Sequence, residues 1–129
     1  MKLGLFGTPL IVRKLSESGA GGRAEWLIVE PLLYHSMYLD EIVHVHEGFV
    51  TDFATVPRLP MTYLLAGDTG HASAVVHDFL LQEPRERMPW SIAANVFHEA
   101  LLAEGVPPWR AALMYAAVRA AGPFIDRRP

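Results

Sequence analysis

The hydrophobic pattern of this chain changes period at its midpoint. Up to the stretch Gly48-Phe49-Val50-Thr51-Asp52-Phe53-Ala54-Thr55-Val56-Pro57-Arg58, apolar residues come in short runs of strand length. Beyond it they recur at helical spacing. Side chains alternate faces along a strand but return to one face every three to four residues along a helix. The two halves therefore call for different elements. The expected fold is α+β: an N-terminal antiparallel sheet of about four to six short strands covered by three C-terminal α-helices. Residues 1–58 are expected to be mainly strands, 59–70 a connector, 71–122 helical and 123–129 a tail. A chain of 129 residues fits one domain and can bury a core without covalent staples.

In the first half, Leu10 to Leu15 reads as a strand, Ser16 to Gly22 as a loop, and Ala24 to Glu30 as a second strand closed by Pro31. Leu32 to Leu39 and Ile42 to His46 follow, with Asp40-Glu41 as the turn between them. On the last of these strands His44 and His46 share one face and Val43 and Val45 the other. Two histidines so spaced can reach one metal ion, or they are the wet face of a half-buried sheet. No third ligand accompanies them, and alternation alone accounts for the pattern. In the central stretch Phe49, Val50 and Phe53 read as a buried strand that Pro57 ends.

In the second half, His71 to Gln82 carries an apolar stripe of Ala72, Val75, Val76, Phe79 and Leu80, with Asp68 or Thr69 able to cap it. Pro84 to Pro89 is a charged loop. Ser91 is placed to cap a second helix that reaches Glu104, buried along Ile92, Val96, Ala100 and Leu101 with Phe97 beside them. Pro108 suits the first turn of a third helix, whose alanines suit close packing, and Gly122-Pro123 is expected to stop it.

Composition removes several function classes. Net charge is -3, with 11 Lys and Arg and no basic run before Arg127-Arg128, so phosphate-driven binding of nucleic acid is not expected. No apolar run is long enough to span a bilayer, and the opening Met1 to Gly7 is too brief for a secretory signal. Without cysteine there is no disulfide, thiolate metal site or Cys nucleophile. There is no phosphate-binding loop, dinucleotide fingerprint, nucleophile elbow or His-Glu-x-x-His.

A few polar residues remain as candidates for chemistry, Asp52, Arg58, His77 and Asp78 foremost. Asp52 is a carboxylate among apolar neighbours, where an ionised group needs a partner. It either stops the strand by bonding nearby backbone or belongs to a site, and Arg58 is a nearby counter-charge. His77-Asp78 lies inside the first helix. Neighbours on a helix point about 100° apart, so they form no private pair. His77 is either a general base or metal ligand with a carboxylate nearby, or a buried histidine bonded to backbone, with Asp78 at the surface. His98-Glu99 repeats the pair on the second helix, where Glu99 is expected to face solvent. Thr51 and Thr55 are conceivable nucleophiles, but nothing in the sequence marks a base beside either.

Four segments together resemble the DUF1353 family, small proteins of unassigned function from tailed bacteriophages and prophages. They are Gly48 to Arg58, then Ala74-Val75-Val76-His77-Asp78-Phe79-Leu80, then Val96-Phe97-His98-Glu99-Ala100-Leu101, then Met114 to Arg119 with Gly122. The resemblance spans roughly residues 24 to 122 and implies a phage origin, with Asp52, Arg58, His77 and Asp78 as one constellation. Where the family pattern has an Asp before the Val-Phe pair of the second helix, this chain has Ala94 and Asn95. The expected function is a virion- or tail-associated accessory protein in which those four residues form a buried network tying strand to helix. It would need no cofactor, bind other phage proteins, and reside in the virion or the host cytoplasm. The alternative is a small hydrolase, such as a peptidase or cell-wall hydrolase, in which Asp52, His77 and Asp78 hold one divalent metal such as zinc, or His77 acts as general base. The sequence names no substrate, partner subunit or oligomeric state.

Overall fold

The computed structural model describes residues 4–16, 24–53, 55–57, 69–82 and 88–125. Among these residues six strands come first and three helices last, so the fold is α+β as the change of period requires. The strands are β1 (Leu5–Phe6), β2 (Val12–Ser16), β3 (Glu25–Ile28), β4 (Leu32–Ser36), β5 (Glu41–Val45) and β6 (Val50–Thr51). The helices are α1 (His71–Gln82), α2 (Trp90–Ala103) and α3 (Pro108–Ile125).

The strands form two antiparallel sheets rather than one, in the orders β1-β4-β5 and β2-β3-β6. The sequence reading has no strand at Leu5–Phe6. Two residues between glycines carry no alternation to detect, and they become a strand only because β4 offers an edge at Tyr34 and His35. In the first sheet Tyr34 and Val43 stand opposite each other on the inner face, and so do Leu32 and Val45; His44 is exposed on the outer face. Gly48 joins the sheets at a φ of +92°, a conformation only glycine adopts freely, and donates its N–H to Ile28 O.

Helix α1 is the centre of the molecule. Every residue from Ala72 to Leu81 is buried, because α2 covers one side and β5 and β6 touch the other. Its N-terminus is held from a distance: the Glu104 carboxylate, at the end of α2, accepts Gly70 N (3.0 Å), Ser73 N (2.7 Å) and Ser73 Oγ (2.5 Å). That carboxylate faces the positive end of the α1 dipole. Asp68, one of the expected caps, lies outside the described residues. The expected Ser91 cap of α2 is not made. Pro89 holds the cap position with no side-chain bond, and Ser91 falls inside the helix.

Helix α3 does not stop at Gly122-Pro123 but carries both inside it. Pro123 removes one N–H and with it one backbone bond to the preceding turn, yet the helix runs on to Ile125. Gly122 is there for Trp90: a Cβ on it would stand 2.8 Å from the indole Cδ1, while Trp90 Nε1 donates to Val118 O at 2.7 Å. Gly122→Ala should therefore push the indole off α3. The overpacking, about 1–3 kcal/mol, outweighs the roughly 1 kcal/mol that Ala gains over a helical Gly. Urea unfolding should show a net loss of up to about 2 kcal/mol, with a shift in tryptophan emission.

Candidate functional site

The polar centre of the molecule lies where the chain leaves β6 and meets α1. Phe53 sits at a φ of +60°, an unusual backbone state for an aromatic residue. It is held there from both sides: Phe53 N donates to Thr51 Oγ1 (3.0 Å) and Val56 N donates to Phe53 O (3.0 Å). In an extended strand Thr51 and Thr55 would stand about 13 Å apart. The turn at Phe53 brings both hydroxyls onto one carboxylate, Asp78.

Asp78 is fully buried and its oxygens are all in use. Thr51 Oγ1 donates to Oδ2 in a short hydrogen bond, Thr55 Oγ1 donates to Oδ1 at 3.0 Å, and Gln82 Nε2, one turn along α1, also donates to Oδ1. Burial raises the Asp78 carboxyl to about 6, against the pull of those donors, and the charge of Asp52 adds to the rise. The half-buried Asp52 is thus near Asp78, but as a like charge. The two threonines, not Asp52, hold Asp78.

His77 is fully buried as well, its ring edge-on to Trp90 (centroids 5.3 Å apart) and tilted against Phe97 (5.2 Å). Its Nδ1 lies 3.1 Å from Thr55 Oγ1. A hydroxyl has one proton, and that of Thr55 goes to Asp78. The contact is therefore Nδ1–H donating to Oγ1, which assigns the tautomer and leaves Nε2 as a buried acceptor without a partner. Burial alone lowers the imidazole to about 3.

The residues singled out from sequence thus divide. Asp52, His77 and Asp78 meet in one region; Arg58 lies outside the described residues. Asp78 is not at the surface, and His77 bonds a hydroxyl rather than backbone. Asp52, His77 and Asp78 do not make a three-ligand set, since among the described residues no group of three His, Asp or Glu is placed to hold a metal ion. Thr55 does have a base beside it, which the sequence could not mark because the two are 22 residues apart. The arrangement still lacks the logic of a nucleophile pair. No group orients the far side of the ring, and an imidazole held near 3 is a poor proton acceptor at neutral pH.

His98 stacks on Tyr115 (4.8 Å) where α2 meets α3, and burial lowers its pKa. Asn95, in the region of the missing family Asp, bridges Tyr38 OH (3.1 Å) and Tyr115 OH (2.7 Å), and Ala94 is buried. Glu99, expected in solvent, is buried instead. Its Oε1 accepts Tyr34 OH (2.6 Å) and Ser36 Oγ (2.8 Å), and its Oε2 accepts Tyr38 N (2.8 Å). Burial, then the bond to Glu99 and its charge, drive the Tyr34 phenol well above its usual range. The signal was present in the sequence: Glu99 falls one turn after Asn95 and Val96 on the side that meets the β4–β5 hairpin, but only the hairpin's donors reveal why it turns inward.

A profile of the family described as "Protein of unknown function (DUF1353)" matches residues 26–118, most of the chain and all of the polar centre. The chain belongs to the DUF1353 family. No curated protein and no solved structure matches it. Among the described residues no helix of this DUF1353 member is long and apolar enough to cross a membrane.

The two buried titrations have opposite signs. His77 takes up a proton more readily unfolded, near 6.5, than folded, so its contribution is whole above 6.5 and is lost as pH falls toward 3. Asp78 takes one up more readily folded, near 6, than unfolded, near 3.8, so acidification across that window favours the fold. Between about 6 and 4 the two cancel. Urea unfolding from pH 8 to 3 should show a plateau there and a fall below it. Asp78→Asn should turn the plateau into a decline starting near 6.5, and His77→Gln should turn it into a rise.

Proposed function

We propose that this DUF1353 protein is an accessory component of a tailed bacteriophage, carried on the virion or its tail, and that the Thr51–Thr55–His77–Asp78 cluster is a structural lock. The observation that carries the second half is enclosure: His77 and Asp78 have no exposed surface, and Asp78 is bonded from both β6 and α1. A reaction centre must admit substrate, whereas a fully bonded buried network rigidifies a core. The first half draws on the phage character of the proteins the four segments resemble. Exposed large apolar residues on the sheet (Leu5, Ile42) and on α3 (Trp109, Leu113) suit a subunit that packs against other phage proteins. The net charge of -3 speaks for protein rather than nucleic-acid partners. The place of action would be the virion or the cytoplasm of the infected host, and no cofactor is called for.

One observation favours the alternative hydrolase: the free lone pair of His77 Nε2. Under that reading the region around Phe53 opens, and His77 acts as base or, with Asp52 and Asp78, takes a divalent ion such as zinc. The two readings part in one experiment. Purified protein, with and without added zinc, is incubated with peptidoglycan and peptide substrates beside His77→Gln, and purified particles of a phage encoding the chain are analysed by mass spectrometry. The accessory reading expects no turnover and stoichiometric protein in the particle. Turnover lost in the variant would install the hydrolase, and absence from particles would remove the virion role.

A further inference from the structure

His77 Nε2, a buried acceptor with no donor, stands at one end of a chain of three groups. At the other end is Asp78, a carboxylate whose burial disfavours its charge. One hydroxyl joins them. His77 Nδ1–H donates to Thr55 Oγ1, and Thr55 Oγ1–H donates to Asp78 Oδ1. Both bonds point toward the carboxylate. A neutral imidazole holds a proton on one nitrogen and a lone pair on the other, and a hydroxyl can accept one proton while giving up its own. Thr51 offers no such route, because its Oγ1 takes its hydrogen bond from a backbone amide, Phe53 N–H, before donating to Oδ2.

We infer that His77, Thr55 and Asp78 form a proton relay that takes up one proton at His77 Nε2 and stores it on Asp78 Oδ1. A proton from water binds the Nε2 lone pair during a brief local opening of the core. The Nδ1 proton passes to Thr55 Oγ1, and the Thr55 proton passes to Asp78 Oδ1. The imidazole ends neutral, with its proton on Nε2 instead of Nδ1, and the charge that disappears is that of the carboxylate. The chain is then remade in reverse: Asp78 Oδ1–H donates to Thr55 Oγ1, and Thr55 Oγ1–H donates to His77 Nδ1. The surroundings fit this use. From β6 and the residue after it come Thr51 and Asp52, and Asp52 is a like charge whose repulsion a proton on Asp78 relieves. From α1 itself Gln82 donates to Oδ1. From α2 the uncharged rings of Trp90 and Phe97 pack on His77, and Glu104 bonds the start of α1. After β5, His46 packs on Phe79. The relay rests on the reading of the cluster as an enclosed lock and adds what the lock responds to, which is acid.

Nitrogen NMR of the full chain labelled with 15N-histidine tests the relay, because it distinguishes a ring nitrogen that carries a proton from one that does not. His77→Gln assigns the His77 signals among the six histidines. From about pH 8 to about pH 4.5, a window around the Asp78 carboxyl at about 6, His77 should change from Nδ1–H to Nε2–H without carrying both protons. Thr55→Val cuts the relay, so His77 should hold one tautomer across the window. Thr55→Ser restores the hydroxyl and should switch as the parent does. A parent His77 that keeps Nδ1–H throughout, or a Thr55→Val protein that switches like the parent, would overturn the relay and leave the lock standing. A His77 doubly protonated at mid-window would overturn both, since a charged imidazole needs water at the ring. The parent titration decides the matter by itself if Thr55→Val fails to fold, which circular dichroism reports.

Discussion

Asp78→Ala is expected to destabilise the protein by about 2–4 kcal/mol, because buried hydroxyls left without an acceptor cost roughly 1–3 kcal/mol each and relief of the carboxylate's own burial offsets part of the loss; for a small domain of ordinary stability this is a large share of the whole. The loss is not that of one contact. Removing the carboxylate leaves three donors facing a void: the hydroxyls of Thr51 and Thr55 and the amide of Gln82. The two threonines are buried, so water does not readily replace the missing acceptor. Thr55 then has no fixed acceptor for its proton, and the bond it receives from His77 Nδ1 loses its definition. Asp78→Asn should cost less, about 1–3 kcal/mol, since an amide keeps one acceptor, though its NH₂ must face a donor. Thr55→Val, which keeps the shape but removes the hydroxyl, should fall between them. Guanidinium unfolding of the three variants checks the order. If Asp78→Ala proves no worse than a surface substitution, the cluster does not hold strand to helix. A double variant separates the lock from its parts: Thr51→Val with Asp78→Ala should lose less than the sum of the singles, because the donor left stranded by one is removed by the other.

Much of this centre could be read from sequence, and the reason for the remainder is physical. The period of the hydrophobic pattern is a local property, so α1 from His71 to Gln82 and the order of strands before helices could be read directly. Two motifs suggest a meeting of β6 with the His77-Asp78 turn, and the structure places Asp52 near Asp78 as a like charge. The bonding itself is not legible there, because the buried acid is held by the hydroxyls of Thr51 and Thr55 rather than by a charged partner. Thr51 and Thr55 serve here because Phe53 accepts a left-handed backbone, and nothing in the composition of the stretch announces that. The division into two sheets was equally hidden. Which hairpin edge a two-residue strand joins is decided by chain geometry, not by its own residues. Helix ends failed for a related reason. Glu104 caps α1 from 31 residues away, and a rule that looks for a cap beside the helix cannot find it.

Glu99 extends that lesson to a second prediction. Glu99→Ala is expected to lower stability by about 2–4 kcal/mol, from buried donors left without an acceptor at roughly 1–3 kcal/mol each, comparable to the loss at Asp78 and through the same kind of defect. The carboxylate draws Tyr34 and Ser36 of β4, and the backbone N–H of Tyr38 in the following turn, onto α2. Ser36 Oγ in turn accepts Leu39 N at 3.0 Å, so the β4–β5 turn is anchored through it. Without Glu99 the fully buried Tyr34 and Ser36 hydroxyls lose their acceptor. The removed side chain also leaves a cavity beside Tyr34, which adds to the loss. Glu99→Gln keeps the volume and should recover part of it, leaving about 1–3 kcal/mol. Tyr34→Phe, which removes a donor rather than the acceptor, should cost only about 1 kcal/mol, since Glu99 keeps Ser36 and Tyr38. Hydrogen exchange distinguishes this from general loosening: the Tyr38 and Leu39 amides should lose protection in Glu99→Ala and keep it in Tyr34→Phe. Equal protection in both variants would mean that the β4–β5 turn is held by its own backbone and that Glu99 merely fills space. The geometry argues otherwise, because Glu99 accepts the Tyr38 N–H directly and reaches the Leu39 N–H through Ser36 Oγ.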